Sequence, residues 1–378
     1  MAKERIDILV PEEELTRNEE KRTLLERTRR LLPTERAPVL VDPNQWALLA
    51  ARGVSFAEYI RSPWDNLRHQ ILNIKWRLEH VRDDFPIPDR LVLEPDLGTL
   101  RGMEFPLEVT WLSDGPPKSH PLLHEVEDVD QLALPEPTDG VNGKRIAWYQ
   151  AMRDLADEFD VRVNGQPLPL EVTITQPGGP IPSAFAVAGA HLFLWMRLDP
   201  ERTHRLMDLV TRSHLRCIAY LAELTGRPPD HPLGQVGADT AELMRAADFR
   251  EFVVPYYLRL WEAHPGERIF HMCGKIDHLL PALRDDLGIH YLDGFGFPVD
   301  RERLAEELGG RVAMRGGMHP VLVLEGPREA IVEEGVAYIR TVGRRGGFIL
   351  STGGGVAPGT PVEHMNALVE ASLRAQAG

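Results

Sequence analysis

A chain of 378 residues, 43% hydrophobic and 26% charged, has room for one large α/β domain or two ordinary ones and enough apolar mass for a packed core. Its net charge of −14 disfavours nonspecific binding to nucleic acid or anionic membranes, and no apolar run reaches the ~18 residues that span a bilayer. Cys217 and Cys273 alone exclude a disulfide framework, and the amino terminus has neither the apolar core nor the cleavage site of a signal peptide, so a cytoplasmic protein is expected.

Residues 11 to about 35 are highly charged with scattered leucines, which predicts a surface helix and makes residues 1–36 a helical extension. Pro38–Val41 is a short apolar run ended by Asp42-Pro43, a first strand. Ser55 and Glu58 have capping-box spacing, and Leu67, Ile71, Ile74, Leu78 and Val81 trace one face of a helix. Arg90–Leu93 is a second strand running into Glu94-Pro95-Asp96. Phe105–Leu112 reads as an accessory strand, and 113–140, rich in Pro and Asp, as a long surface loop. Six further strand-like runs follow, at Leu168–Thr175, Leu233–Asp239, Arg268–Cys273, Ile289–Asp293, Arg311–Gly316 and Gly346–Thr352. Helical patterns fill most of the intervals between them; one starts at Asp199-Pro200 with a cap and a first-turn proline.

Eight strands alternating with helices predict a single (β/α)8 barrel over residues 37–378. The rival is a doubly wound open sheet, but no Gly-x-Gly-x-x-Gly follows an early strand. A barrel carries its chemistry at the carboxyl ends of its strands. Those ends offer Glu94 and Asp96, Gln176, Asp239 with Glu242 nearby, His271 and Cys273, Asp293, Arg315 to His319, and Gly353-Gly354-Gly355.

His271 and Cys273 lie two apart on an extended backbone, so they project to one side and could share a zinc ion. The plainer alternative is a buried cysteine beside a core histidine. Asp239 and Asp293 could instead cap following helices, although Gly294-Phe295-Gly296-Phe297 after Asp293 is not helical. Arg315 and His319 could be surface residues of a glycine turn. Cys217, mid-helix among Leu215, Ile218 and Leu221, reads as core, with His214 on the same face. Gly353–Gly355 could admit a ligand to the backbone or simply form a tight turn.

Gly237-Ala238-Asp239, Phe249–Pro255, His271–Gly274, Gly316–Pro320 and Gly347–Pro361 occur in this order. Together they resemble the uroporphyrinogen decarboxylase superfamily, which includes cobalamin-dependent coenzyme M methyltransferases. The resemblance runs from about residue 85 to the end and implies the same barrel. It also makes a homodimer a reasonable expectation. The decarboxylase branch implies an amino-terminal arginine motif, not found near Val39–Arg52, and a histidine where Gly354 stands. The methyltransferase branch implies His271 and Cys273 as zinc ligands with a third, a cysteine, again at Gly354.

With that cysteine missing, Asp239, Glu242 or His319 could complete the site. The reading is therefore a methyltransferase exchanging a methyl group with a corrinoid protein. Zinc would sit on His271, Cys273 and Asp239, Asp293 would act as a positioning group or base, and Gly353–Gly355 would line the mouth. The alternatives are a decarboxylase of a carboxylated aromatic or tetrapyrrole using Asp96 or His271, and a barrel that binds a tetrapyrrole or corrinoid without chemistry. Glu94, Gln176, Arg315 and His319 are expected to face substrate.

Overall fold

A computed structural model describes residues 3–376. Five parallel strands form its most regular part: β8 (Val236–Gly237), β9 (Ile269–His271), β10 (Tyr291–Phe295), β11 (Ala313–Met318) and β12 (Phe348–Thr352) pair in that order. The first stave is reduced to Val39, which bridges in parallel to Leu350 of β12. On the other side β2 (Leu91–Leu93) pairs in parallel with β7 (Leu170–Val172), and the Gly237 amide donates to the Gly178 carbonyl at 3.1 Å, tying β8 to the chain beyond β7. All eight expected staves are thus in use, and the architecture is a (β/α)8 barrel.

Strands β10, β11 and β12 are nearly continuous apolar runs buried on both faces, as staves between a packed interior and a layer of helices must be. The helices follow their sequence signals. Pro63–His80 starts with Ser62 accepting from the Asp65 amide, and Pro200–Thr225 starts with Asp199 accepting from the Arg202 amide at 2.9 Å. Both have proline in the first turn, where the missing N–H costs nothing. Phe249, Phe252, Tyr257, Leu260 and Phe270 are buried in one core between barrel and helices.

The amino-terminal segment is more structured than a surface helix. Its helices are Glu12–Thr16 and Asn18–Arg29, preceded by β1 (Glu4–Ile8). Strand β1 pairs in parallel with β5 (Phe159–Val163), which turns back on β6 (Gln166–Pro167). The period-two signal is present, since Ile6 and Ile8 are buried and alternate with more exposed Arg5 and Asp7, as do Phe159, Val161 and Val163 with Asp160 and Arg162. The expected accessory strand shrinks to β3 (Val109–Thr110), one arm of a hairpin with β4 (Lys118–Ser119) inside the proline-rich excursion. Among the described residues no single helix is long and apolar enough to cross a membrane.

Candidate functional site

The ends of β8 and β9 bring together three residues from two units of the chain. Asp239 opens a short turn after β8, His271 ends β9, and Cys273 follows two residues later. The Asp239 side chain does not cap that turn. Its Oδ1 instead accepts from the Cys273 amide at 3.0 Å and lies 3.2 Å from Cys273 Sγ and 3.4 Å from His271 Nε2. A carboxylate oxygen, an imidazole nitrogen and a thiol sulfur all lie within 4.8 Å of one another. Bonds of 2.0–2.3 Å in a tetrahedron set zinc ligand atoms roughly 3.3–3.8 Å apart, so this donor set fits a metal ion with little movement.

The other face of the imidazole is also occupied. His271 Nδ1 is 3.5 Å from Asp293 Oδ2, too long for a hydrogen bond, and finds no other protein partner. Asp293, on β10, is held by Arg315 of β11 through Nε at 2.6 Å and Nη2 at 3.0 Å. Asp42, just after the first stave, lies 3.6 Å from the same guanidinium. A carboxylate behind a histidine whose far nitrogen points at a donor cluster is the arrangement that orients metal-binding imidazoles.

Two glycines make room for these side chains. At Gly294, with φ of 76°, a Cβ would stand 2.5 Å from His271 Cε1, so the residue after Asp293 must leave space for the ring. At Gly274, with φ of 84°, a Cβ would stand 1.7 Å from Glu242 Oε2. That oxygen accepts from the Lys275 amide at 2.9 Å, which occupies Glu242 beside the corner.

The electrostatics follow from burial and neighbours. Burial pushes the Cys273 thiol up, and the charge and hydrogen bond of Asp239 push it further, to about 12. Without a cation at the corner the thiol keeps its proton and donates it to Asp239. Burial opposes a charged His271, but Asp293 and Asp239 on either side outweigh it and raise its pKa above the ordinary imidazole value. Burial would likewise raise Asp293, yet His271 and Arg315 hold it below the usual carboxylate range.

The remaining sequence candidates stand elsewhere around the mouth. Glu94 accepts from the Thr175 hydroxyl at 2.9 Å and lies 3.7 Å from the buried Arg145. Asp96 accepts from Tyr59 Oη and from the Gly98 amide, both at 2.8 Å. Gln176 reaches Glu104 at 3.4 Å, and its Oε1 is buried without a protein partner. His319 stacks on Phe297 and caps the following helix through Nδ1, apart from the donor cluster, so Asp239 is the third residue of that cluster. Gly353 and Gly355 are packing glycines against Gly296 and Asn44, whereas a side chain at Gly354 would meet open space. Cys217 and His214 are buried in the helix Pro200–Thr225, and neither belongs to the cluster.

A cleft of about 580 Å³ opens over this corner, lined by Asp239, Thr240 and His271 together with Thr99, Arg101 and Ser119. Arg101 and Thr99 were not foreseen. Their signal was the pair Gly98 and Gly102 after the second strand, which marks a tight loop whose polar residues reach the mouth.

The family described as Uroporphyrinogen decarboxylase (URO-D) matches residues 80–374. The chain belongs to this family. Uroporphyrinogen decarboxylase of Anaeromyxobacter sp. (strain Fw109-5) is 29% identical over 281 residues, covering 68% of this chain and 71% of that relative. Methylated-thiol–coenzyme M methyltransferase of Methanosarcina mazei is 28% identical over 222 residues, with 57% of this chain and 55% of the relative covered. The family therefore holds enzymes of both kinds, and this chain is one of its enzymes. A solved methyltransferase from Methanosarcina mazei superimposes with a TM-score of 0.66 at 18% identity, covering 94% of this chain and 98% of that one, and shares its fold.

Proposed function

We propose that the protein is a methyltransferase of the uroporphyrinogen decarboxylase family that exchanges a methyl group with a corrinoid carried on a partner protein. Asp239, His271 and Cys273 would hold zinc. The observation that carries this reading is the convergence of those three donors at the ends of β8 and β9, with Asp293 and Arg315 behind the imidazole. The similarity to a methylated-thiol–coenzyme M methyltransferase supports it. Zinc bound there supplies Lewis acidity, greater with a carboxylate among its ligands than with a second thiolate, suited to activating an oxygen or sulfur atom of the substrate.

The protein's own groups have separable roles in this reading. Asp239 orients Cys273, since its Oδ1 accepts from the Cys273 amide. Asp293 fixes the imidazole plane and keeps Nε2 aimed at the corner, and Arg315 keeps Asp293 ionised and in place. The glycines at 353–355 leave that rim of the mouth without side chains. Residues 37–378 form the catalytic barrel in this reading, with 1–36 as an extension, and the protein works as a homodimer.

Metal analysis of protein purified without a histidine tag tests the proposal. One zinc per chain is expected, lost in Cys273→Ser together with methyl transfer. Zinc-free wild-type protein, or a Cys273→Ser variant unchanged in metal and turnover, would sink it. The longer match to a decarboxylase favours one second reading, metal-independent release of carbon dioxide from a carboxylated aromatic substrate using Asp96 or His271. Turnover of uroporphyrinogen or of a smaller carboxylate by metal-free protein would establish that reading, and failure of both would remove it.

A further inference from the structure

Glu104 follows Thr99 and Arg101 in the loop that reaches the cleft, and its side chain is fully buried. Its Oε1 accepts from the Ser213 hydroxyl at 2.8 Å, and its Oε2 lies 3.4 Å from Gln176 Nε2. Among the described residues no cation comes within ion-pair distance of it. Arg145 acts on it only from further away, donating instead to the Thr175 carbonyl at 3.1 Å and lying 3.7 Å from Glu94. A carboxylate sealed from water needs a cation or several short hydrogen bonds, and this one has neither.

Two polar atoms close to it also lack partners. Gln176 Oε1 and His214 Nδ1 are both sealed without one, and both residues line a cavity of about 70 Å³ beside the helix Pro200–Thr225. One proton and one rotation settle these defects together. The two ends of a side-chain amide have nearly the same shape, so Gln176 can turn over in place. A proton on Glu104 Oε2 is then donated to the Gln176 oxygen, and the NH2 group takes the orphaned oxygen's place. The cavity has room for a water that joins this group to the His214 ring.

The surroundings favour the neutral acid. Burial raises the pKa of Glu104, and its own amide, Ser213, Gln176 and Arg145 offset only part of that. On the helix Pro200–Thr225, burial keeps His214 uncharged, with a pKa of about 4, and pushes the Cys217 thiol up, so neither supplies a countercharge. Glu94 is occupied by Thr175 and Arg145, and the helix Pro180–Ala188 carries no charged side chain.

We infer that Glu104 carries its proton at neutral pH and works as a proton-operated latch on the cleft wall. Its Oε2 hydroxyl holds the Gln176 amide while Ser213 holds Oε1, which ties the loop 98–104 to the chain beyond β7 and to the helix Pro200–Thr225. Loss of the proton leaves a buried charge without a cation and frees the loop, so the wall loosens as pH rises. No metal or substrate takes part.

The test uses the full-length protein as purified. At pH 7 the infrared difference between wild type and Glu104→Gln should contain a protonated-carboxyl carbonyl band that shifts in D2O. Loss of a carboxylate band instead overturns the inference. Glutamine reproduces the neutral acid, its NH2 donating to Gln176 and its oxygen accepting from Ser213, so the variant should melt at or above wild type at pH 7. A lower melting temperature overturns the inference, because it marks an acceptor that glutamine cannot replace. The folded pKa lies above the unfolded one, so the latch's stabilisation is complete below the ordinary carboxylate value and lost as pH rises through the folded value. In wild type alone, hydrogen exchange of residues 98–104, corrected for its intrinsic rate, should therefore lose protection between about pH 7 and 10, by up to about tenfold per pH unit. In Glu104→Gln that loss should vanish. Protection that stays flat in wild type, or falls equally in both proteins, overturns the inference.

Discussion

The two sides of the barrel mouth carry similar side chains and use them differently. At the ends of β8 to β11, Asp239 and Asp293 flank His271 and leave it two carboxylate neighbours and no completed hydrogen bond on Nδ1. At the ends of β2 and β7, Glu94 and Asp96 spend their oxygens on Thr175, Tyr59 and the Gly98 amide. Two histidines repeat the contrast, one partly exposed and one buried. His271 sits between anions and its pKa is raised, whereas His214 faces no anion and burial pulls it down to about 4. Residue type and strand-end position do not decide a role; the partners on either side do.

The strongest test of the contrast is at the open side. Cys273→Ser should cut zinc affinity on the order of a hundredfold or more, because a thiolate ligand is replaced by a hydroxyl that keeps its proton. A chelator competition with a colorimetric zinc indicator measures it. Unchanged affinity would mean that the cluster does not hold metal and that both sides of the mouth are structural.

His214 should show its side of the contrast in stability rather than in metal binding. Its folded pKa, about 4, lies below the unfolded imidazole value of about 6.5, so the unfolded chain binds the extra proton between these limits. The stabilisation is therefore complete above pH 6.5 and lost as pH falls towards 4, on the order of 3 kcal/mol in total. Denaturant melts from pH 7 to 4 should show this acid slope in wild-type protein and a shallower one in His214→Phe. The same slope in both proteins would remove His214 as its cause.

Much of this was readable before the fold. Alternation of strand and helix gave all eight staves, because parallel staves buried on both faces need uninterrupted apolar runs such as Phe348-Ile349-Leu350. The two-residue period of an expected strand pointed to His271 and Cys273, although β9 ends at His271 and Cys273 is held instead by its amide donating to Asp239. What the chain order hid was convergence. Asp239, His271, Asp293 and Arg315 come from four successive units, and only the register of β9, β10 and β11, which aligns Asp293 with both His271 and Arg315, brings them together. Arg101 was harder still, since it lies in a loop after β2 and joins Asp239 and His271 only in the folded cleft.

Asp293→Asn sharpens the contrast within the open side. The amide keeps one oxygen acceptor but loses the charge that holds His271 and Arg315, so zinc affinity should fall about 10- to 100-fold without loss of stoichiometry at saturating metal. Asp293→Asn with wild-type affinity would show that the imidazole is oriented by packing at Gly294 alone.

The smallest effect is expected from the matched change on the occupied side, Asp96→Asn. Asp96 accepts from two donors, Tyr59 Oη and the Gly98 amide, and an asparagine can satisfy only one of them with its oxygen while its amide group faces the other. The orphaned donor should cost about 1–2 kcal/mol of stability, seen as a lower melting temperature. Zinc affinity should stay within about twofold, because no Asp96 atom belongs to the donor cluster. A loss of affinity as large as that of Asp293→Asn would break the contrast, since it would place Asp96 in the same electrostatic unit as His271. A loss of stability alone would establish that two aspartates at equivalent strand ends have been divided, one to the chemistry and one to the wall that faces it.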